Sequence, residues 1–173
     1  MFEGDFRYFG DHAELTNDLL FENGGTDGVF STTYDVFFSA AIIGFLSGET
    51  SKEKGDRRQD KTIFSEKLSK EFDRTNLIER TLLLANPNLD VSEESGRINR
   101  ALRNFTDDSV KKANKDYIIG YALKGIEILH DRLKEAKNEK KDRVILANEL
   151  IEEFSSNSKN YQGLFDLLDE IAR

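Results

Sequence analysis

The sequence predicts an all-α fold, a compact bundle of about six or seven helices in a single domain spanning residues 1–173, and three observations carry that prediction. Leu, Ile, Ala, Glu and Lys recur at three- and four-residue spacing along most of the 173 residues. Runs that alternate apolar and polar residues with period two are absent, and proline occurs once, at Pro87. With 38% hydrophobic and 34% charged residues, the chain has the apolar surface for a core inside a strongly charged exterior.

Residues 1–10 carry aromatics at Phe2, Phe6, Tyr8 and Phe9 and read either as an N-terminal aromatic strap laid over the core or as a short strand. A short helix is expected from Asp11 to Phe21, with Leu15, Leu19 and Phe21 inward, before a turn at Asn23-Gly24-Gly25. Ser31 is the expected N-cap of the next helix, Thr32 to Ser47. Its hydroxyl would accept from a first-turn amide, and Asp35 complements the positive end of the helix dipole. Val36, Phe37, Ala40, Ala41, Ile43 and Gly44 leave this helix almost no polar face, so it is the expected centre of the core, with Gly48 placed to end it.

Residues 49–61, ETSKEKGDRRQDK, contain no apolar side chain and are expected to form a charged, solvated loop. Ile63, Phe64, Leu68 and Phe72 then make a helical stripe, broken at Asp73-Arg74-Thr75 and continued by Leu77, Ile78, Leu82 and Leu83 until Pro87 stops the helix. Val91-Ser92-Glu93-Glu94 opens another helix with Ile98, Leu102 and Phe105 on its apolar side, followed by a loop at Thr106 and Asp107. The longest helix is expected from Asp108 to Asn138, carrying Val110, Tyr117, Ile118, Tyr121, Ala122, Ile126, Leu129 and Leu133. Val144 to Phe154 and Leu164 to Ile171 supply two more amphipathic helices. Gly120 and Gly125 each cost up to about 1 kcal/mol against Ala inside the long helix, and close approach to the small face Ala40, Ala41 and Gly44 is the expected reason for them.

Composition removes several kinds of chemistry. The absence of Cys rules out thiol nucleophiles, disulfides and thiolate metal sites, and only His12 and His130 remain as imidazoles. The longest apolar run, Val36 to Leu46, is interrupted by Ser39 and Gly44 and is far shorter than the roughly 18 to 20 residues of a membrane span. The N-terminus has neither a basic segment nor an apolar one, and the expectation is a soluble cytoplasmic protein without membrane contact.

The net charge of −8 is unevenly spread. Residues 1–50 hold nine acids against one base and residues 148–173 six acids against two, whereas residues 51–85 and 111–147 are mildly basic. Lys52, Lys54, Arg57, Arg58 and Lys61, with Lys111, Lys112 and Lys115, would contact phosphates if they shared one surface. Acids interleaved at Glu53, Asp56, Asp60 and Asp116 make solvated faces the more ordinary outcome. The acidic ends would equally suit a basic partner, or imitate DNA phosphates and inhibit a nucleic-acid enzyme.

No arrangement in the sequence nominates a catalytic centre. Glu127 and His130 are a Glu-x-x-His pair, but a di-iron helix bundle needs two such pairs and two further Glu, and His12 lies in GDHAEL. There is no GxSxG elbow, and Asn23 to Gly28 lacks the Gly-Lys-Ser/Thr ending of a phosphate loop. Glu93-Glu94, Asp107-Asp108 and Glu152-Glu153 are sequence neighbours, about 100° apart on a helix, and read as helix-start and surface charges.

Two stretches carry a family resemblance. TTYDVFFSAAIIGFLSG (32–48) and IGYALKGIEILHDRL (119–133) resemble the small accessory proteins encoded beside DNA phosphorothioation (Dnd) gene clusters. The matching positions are Asp35, Val36, Phe37, Ala40, Ala41 and Gly44, then Tyr121, Ala122, Gly125, Ile126, Glu127, Ile128 and Leu129; Leu123-Lys124 departs from the pattern. The resemblance implies an accessory role in bacterial modification-dependent defence against foreign DNA, and it carries over no catalytic residues. Asp35, Tyr121 and Glu127, its polar members, are expected to form a buried or half-buried cluster. The resulting expectation is a non-catalytic chain, without cofactor or metal, that binds a protein subunit of a DNA modification or restriction complex. Contact with DNA through Lys52, Lys54, Arg57, Arg58 and Lys61, and self-association through the N-terminal aromatics, are further expectations.

Overall fold

Two helices far apart in the sequence make the centre of the molecule. The computed structural model describes residues 4–21, 28–85, 94–103 and 107–138, together with 145, 149, 150, 152 and 153. Their order is β1 (Phe6–Phe9), α1 (Asp11–Leu19), α2 (Thr33–Ser47), β2 (Asp60–Ile63), α3 (Ser65–Lys70), α4 (Phe72–Ala85), α5 (Glu94–Ile98), one turn of π-helix (Asn99–Arg103) and α6 (Asp108–Asn138). The fold is predominantly helical, as the periodicity predicts, with one small two-stranded sheet among the described residues.

Val36, Phe37, Phe38, Ala40 and Ala41 of α2 are fully buried. A Cβ on Gly44 would lie 2.0 Å from the Tyr121 carbonyl oxygen, and one on Gly125 would lie 1.8 Å from the Ala40 carbonyl oxygen. Because 40 meets 125 while 44 meets 121, α2 and α6 run antiparallel with their backbones in contact. Gly125 therefore has the packing reason expected of it. Gly120 does not: it faces the loop after α2, with its added Cβ 3.2 Å from Thr50 Cβ and its carbonyl accepting from the Ser51 amide at 2.9 Å.

The entry to α2 lies one residue later than expected. Thr32, in extended backbone, is the N-cap, and its hydroxyl oxygen accepts from the Asp35 amide at 3.2 Å. Ser31 instead donates to the Asp35 carboxylate. Gly48 ends the helix at φ 73°, the left-handed conformation expected of it.

Within the aromatic N-terminal segment Phe6–Phe9 form a strand, and Phe2 lies outside the described residues. Phe6 and Tyr8 point inward onto Phe37, with ring centroids 5.0 and 5.7 Å away, while Arg7 points out. Its partner is a correction to the sequence reading, because β2 takes Asp60 and Lys61 from the expected solvated loop and Ile63 from the expected helical stripe. The pairing is antiparallel, Phe6 opposite Ile63 and Phe9 opposite Asp60. Alternation over four residues is too short to stand out in a sequence. Most side chains in the rest of the loop are exposed, half-buried Ser51 apart, and its backbone is tied down. Lys54 and Gln59 carbonyls accept from the Asp11 and Gly10 amides at 2.9 and 3.1 Å, supplying the cap that Gly10 cannot offer to α1.

The stripe Ile63-Phe64-Leu68-Phe72 is also corrected. Once Ile63 belongs to a strand, the next residue faces the opposite way, and Phe64 is 62% exposed. The helix break falls at Glu71 rather than at Asp73 to Thr75, so Phe72 and Leu77 stand outward at 63% and 67% exposure. Thr75 and Glu79 take inward positions instead, with Thr75 Oγ1 3.0 Å from the Tyr34 hydroxyl. Likewise Ala101 is buried while Ile98 and Leu102 face out. α6 has the limits expected, Asp108 to Asn138, and buries Ile118, Tyr121, Ala122, Leu123, Ile126, Leu129 and Leu133. The expected turn at 23–25, the stop at Pro87, the helix start at 91–93, Phe105 and the last helix lie outside the described residues, as does most of 144–154.

Candidate functional site

The densest polar arrangement is built on Glu127, and three segments converge there. α6 supplies Glu127 and Lys124, α1 supplies His12 from its first turn, and the loop after α2 supplies Glu49, Ser51 and Lys54. Glu127 Oε1 accepts from His12 Nε2 at 3.1 Å, from the Ser51 hydroxyl at 2.8 Å and from Lys54 Nζ at 2.9 Å. Lys124 Nζ is 3.7 Å from Glu127 Oε2 and bridges to Glu49 at 2.9 Å. Burial works against the ionised form of Glu127, but the hydrogen bonds from Lys54, Ser51 and His12 outweigh it and hold the carboxyl at about 2.

The network continues inward. His12 is 1% exposed, and because an ionised carboxylate can only accept, its Nε2 carries the proton toward Glu127. Its Nδ1 has no hydrogen-bond partner among the described residues. One turn on, the Thr16 hydroxyl spends its proton on the His12 carbonyl at 2.7 Å, so the Tyr8 hydroxyl, 3.0 Å away, is the donor to Thr16. A chain of polar contacts thus runs from Tyr8 under the sheet to Lys54 at the surface. A carboxylate saturated by three donors on one oxygen is a poor proton acceptor near neutral pH. Its chemistry is that of an anchor, fixing the loop against α1 and α6.

The expected polar cluster is distributed rather than gathered. Asp35 is bound at the start of α2 by the Thr32 hydroxyl at 2.6 Å and by Arg74 at 3.3 Å. The Tyr121 hydroxyl is 2.7 Å from that of Tyr117, and its ring stands edge-on to Phe45. Glu127 has the partners described above. Tyr121 and Glu127 are six positions apart on one helix, about 120° around its axis.

The basic loop residues are placed as follows. Lys54 is bound to Glu127; Arg57 pairs with Glu53 at 3.3 Å and lies 4.5 Å over the Phe9 ring; Arg58 pairs with Asp56. Lys52 is exposed and Lys61 half-buried on β2. Lys115 lies elsewhere, 5.0 Å over the Phe6 ring. His130, read beside Glu127 in the sequence, turns to α1 instead, with Nε2 3.2 Å from Asp18 and Nδ1 3.4 Å from Asp131. Asp107 caps α6, accepting from the Ser109 hydroxyl and from the Ser109 and Val110 amides, which hold its carboxyl below the usual range. Among the described residues no three His, Asp or Glu side chains assemble as metal ligands, and no helix is long and apolar enough to cross a membrane.

Sequence reasoning missed His12 as a functional neighbour of Glu127. The signal available was an imidazole on the apolar side of α1, between Tyr8 and Thr16, but nothing in one sequence joins positions 115 residues apart. Comparison with family models, curated proteins and solved structures finds no match to this chain.

Proposed function

We propose that the chain is a non-catalytic accessory protein of a bacterial DNA modification or restriction system, acting by binding a protein subunit of that system. The observation that supports this reading is where the two resembling stretches fall. They lie more than seventy residues apart in sequence, yet their backbones meet as one seam, Gly125 against the Ala40 carbonyl and Gly44 against the Tyr121 carbonyl. The shared pattern is therefore a pattern of architecture, a fixed helix pair that presents the surrounding surface. That surface includes Phe64, just before α3, and Phe72 and Leu77 on α4, large apolar side chains turned to solvent. Direct DNA contact through the loop is the secondary part of the proposal. Lys54, Arg57 and Arg58 already hold carboxylates, which phosphates would have to displace.

A tagged pull-down from the native host, with and without nuclease, tests this. Nuclease-resistant recovery of a modification or restriction subunit is the expected result. Loss of that subunit on nuclease treatment would move the weight to DNA contact, and recovery of the chain alone would overturn the reading.

A further inference from the structure

A groove of about 460 Å³ runs between α1 and α6, lined by Glu14, Leu15, Asp18, His130, Leu133 and Lys134. Its floor is apolar, with Leu133 buried and Leu15 half-buried. Its α1 wall is acidic. Glu14 and Asp18 are both exposed and stand one helical turn apart, which places the two carboxylates side by side next to Leu15. Other acids from this end of the chain are already engaged: Asp5 by the Ser65 amide, Asp35 by Thr32 and Arg74, Glu49 by Lys124. Glu14 has no ion-pair partner among the described residues, and Asp18 has the His130 imidazole at 3.2 Å. That contact is exposed on the Asp18 side, the kind of pair that is readily exchanged for another cation.

Two carboxylates a turn apart beside a pair of leucines match one side chain in particular. The guanidinium of arginine is a planar fork able to engage both carboxylates, and its methylene stem is apolar enough to lie on leucine. An ammonium group is a point charge without that fork. Lys134 lines the opposite, α6 rim and is exposed, so like-charge repulsion favours a bound cation on the α1 wall. We propose that this groove is the docking site for a basic, arginine-bearing segment of the partner protein, its guanidinium bridging Glu14 and Asp18 and replacing His130 there. The proposal rests on the protein-binding reading above and names the chemistry of that partner.

The test is an NMR titration of the isotopically labelled full chain with acetyl-Arg-Leu-Arg-amide, with acetyl-Glu-Leu-Glu-amide as the control peptide. Saturable shifts at the Leu15 and Leu133 methyls and the His130 ring are expected with the first peptide only. The Glu14→Gln/Asp18→Asn variant should weaken them by tenfold or more in affinity, a loss of about 1.4 kcal/mol or more. A Glu66→Gln/Asp73→Asn variant, on α3 and α4, should leave them unchanged. Shifts spread across the acidic surface and equal in both variants would overturn the site. So would the same shifts on raising the protein concentration without peptide, which would assign the groove to a second copy. Repeating the nuclease-treated pull-down with the groove variant separates this claim from the broader one. Undiminished recovery of the subunit would remove the groove and leave the accessory role; failure of the unaltered chain to recover any subunit would remove that role, while the titration still decides the groove.

Discussion

Glu127 and Glu79 are carboxylates with opposite fates, and their pH behaviour follows from their surroundings. Glu127, despite partial burial, is held at about 2 by its donors, below its ordinary 4.5. Its contribution to stability is therefore complete above about pH 4.5 and lost as pH falls toward 2, because the unfolded chain takes up the proton first. Glu127→Gln should lower stability near neutral pH by roughly 1–3 kcal/mol and flatten the acid limb of a denaturation profile; an acid limb identical to that of the unaltered chain would contradict the anchor. Glu79, wholly buried on α4, is pushed up to about 7 chiefly by burial. Here the folded chain holds the proton longer, so stability falls as pH rises from about 4.5 to 7. Glu79→Gln should raise stability above pH 7 by on the order of 1 kcal/mol, read as a higher melting temperature, and leave it little changed at pH 4. Glu127 was legible in the sequence as a polar residue on an apolar helix, but its Glu-x-x-His spacing pointed to His130. Local spacing describes neighbours on one helix; the partner it actually has, His12, arrives through tertiary packing. Glu79 was not legible at all, since it follows the break in the stripe at Glu71 and sits where periodicity alone would place an apolar residue.

At the scale of elements, the α2–α6 seam makes a contrast between two glycines of the same helix. Gly125→Ala would set a Cβ 1.8 Å from the Ala40 carbonyl oxygen, a backbone atom that cannot step aside, and should cost about 3 kcal/mol or more. Gly120→Ala meets the Thr50 side chain at 3.2 and 3.4 Å and the Ser51 carbonyl oxygen at an ordinary 3.6 Å, and recovers up to about 1 kcal/mol of helix propensity, so its net effect should stay within about 1 kcal/mol. Thermal denaturation of the two variants checks this, and equal losses would contradict the seam. The long helices were legible because each buries a recurring face over many turns, and α6 has the limits its sequence indicates. The sheet was not legible. β2 begins among charged residues and is held by its pairing with β1, whose Phe6 and Tyr8 side chains pack on Phe37, and no local pattern at Asp60 to Ile63 reveals that.

For the whole molecule, the uneven charge of the sequence survives in a modified form. The basic stretch 51–61 folds back on carboxylates of its own and of α6, so its charge is largely spent inside the molecule. The acidic N-terminal part keeps Glu14 and Asp18 turned outward along a groove. A surface of that character favours a basic protein segment over nucleic acid. Association through it should weaken as salt rises, since exposed charges a Debye length apart are screened at about 0.1 M. The most direct measurement of the central claim is gel filtration of the purified chain with the purified, nuclease-treated modification or restriction subunit recovered from the host. Co-elution as a single species of summed mass is the predicted result; two separate peaks at low salt would contradict it.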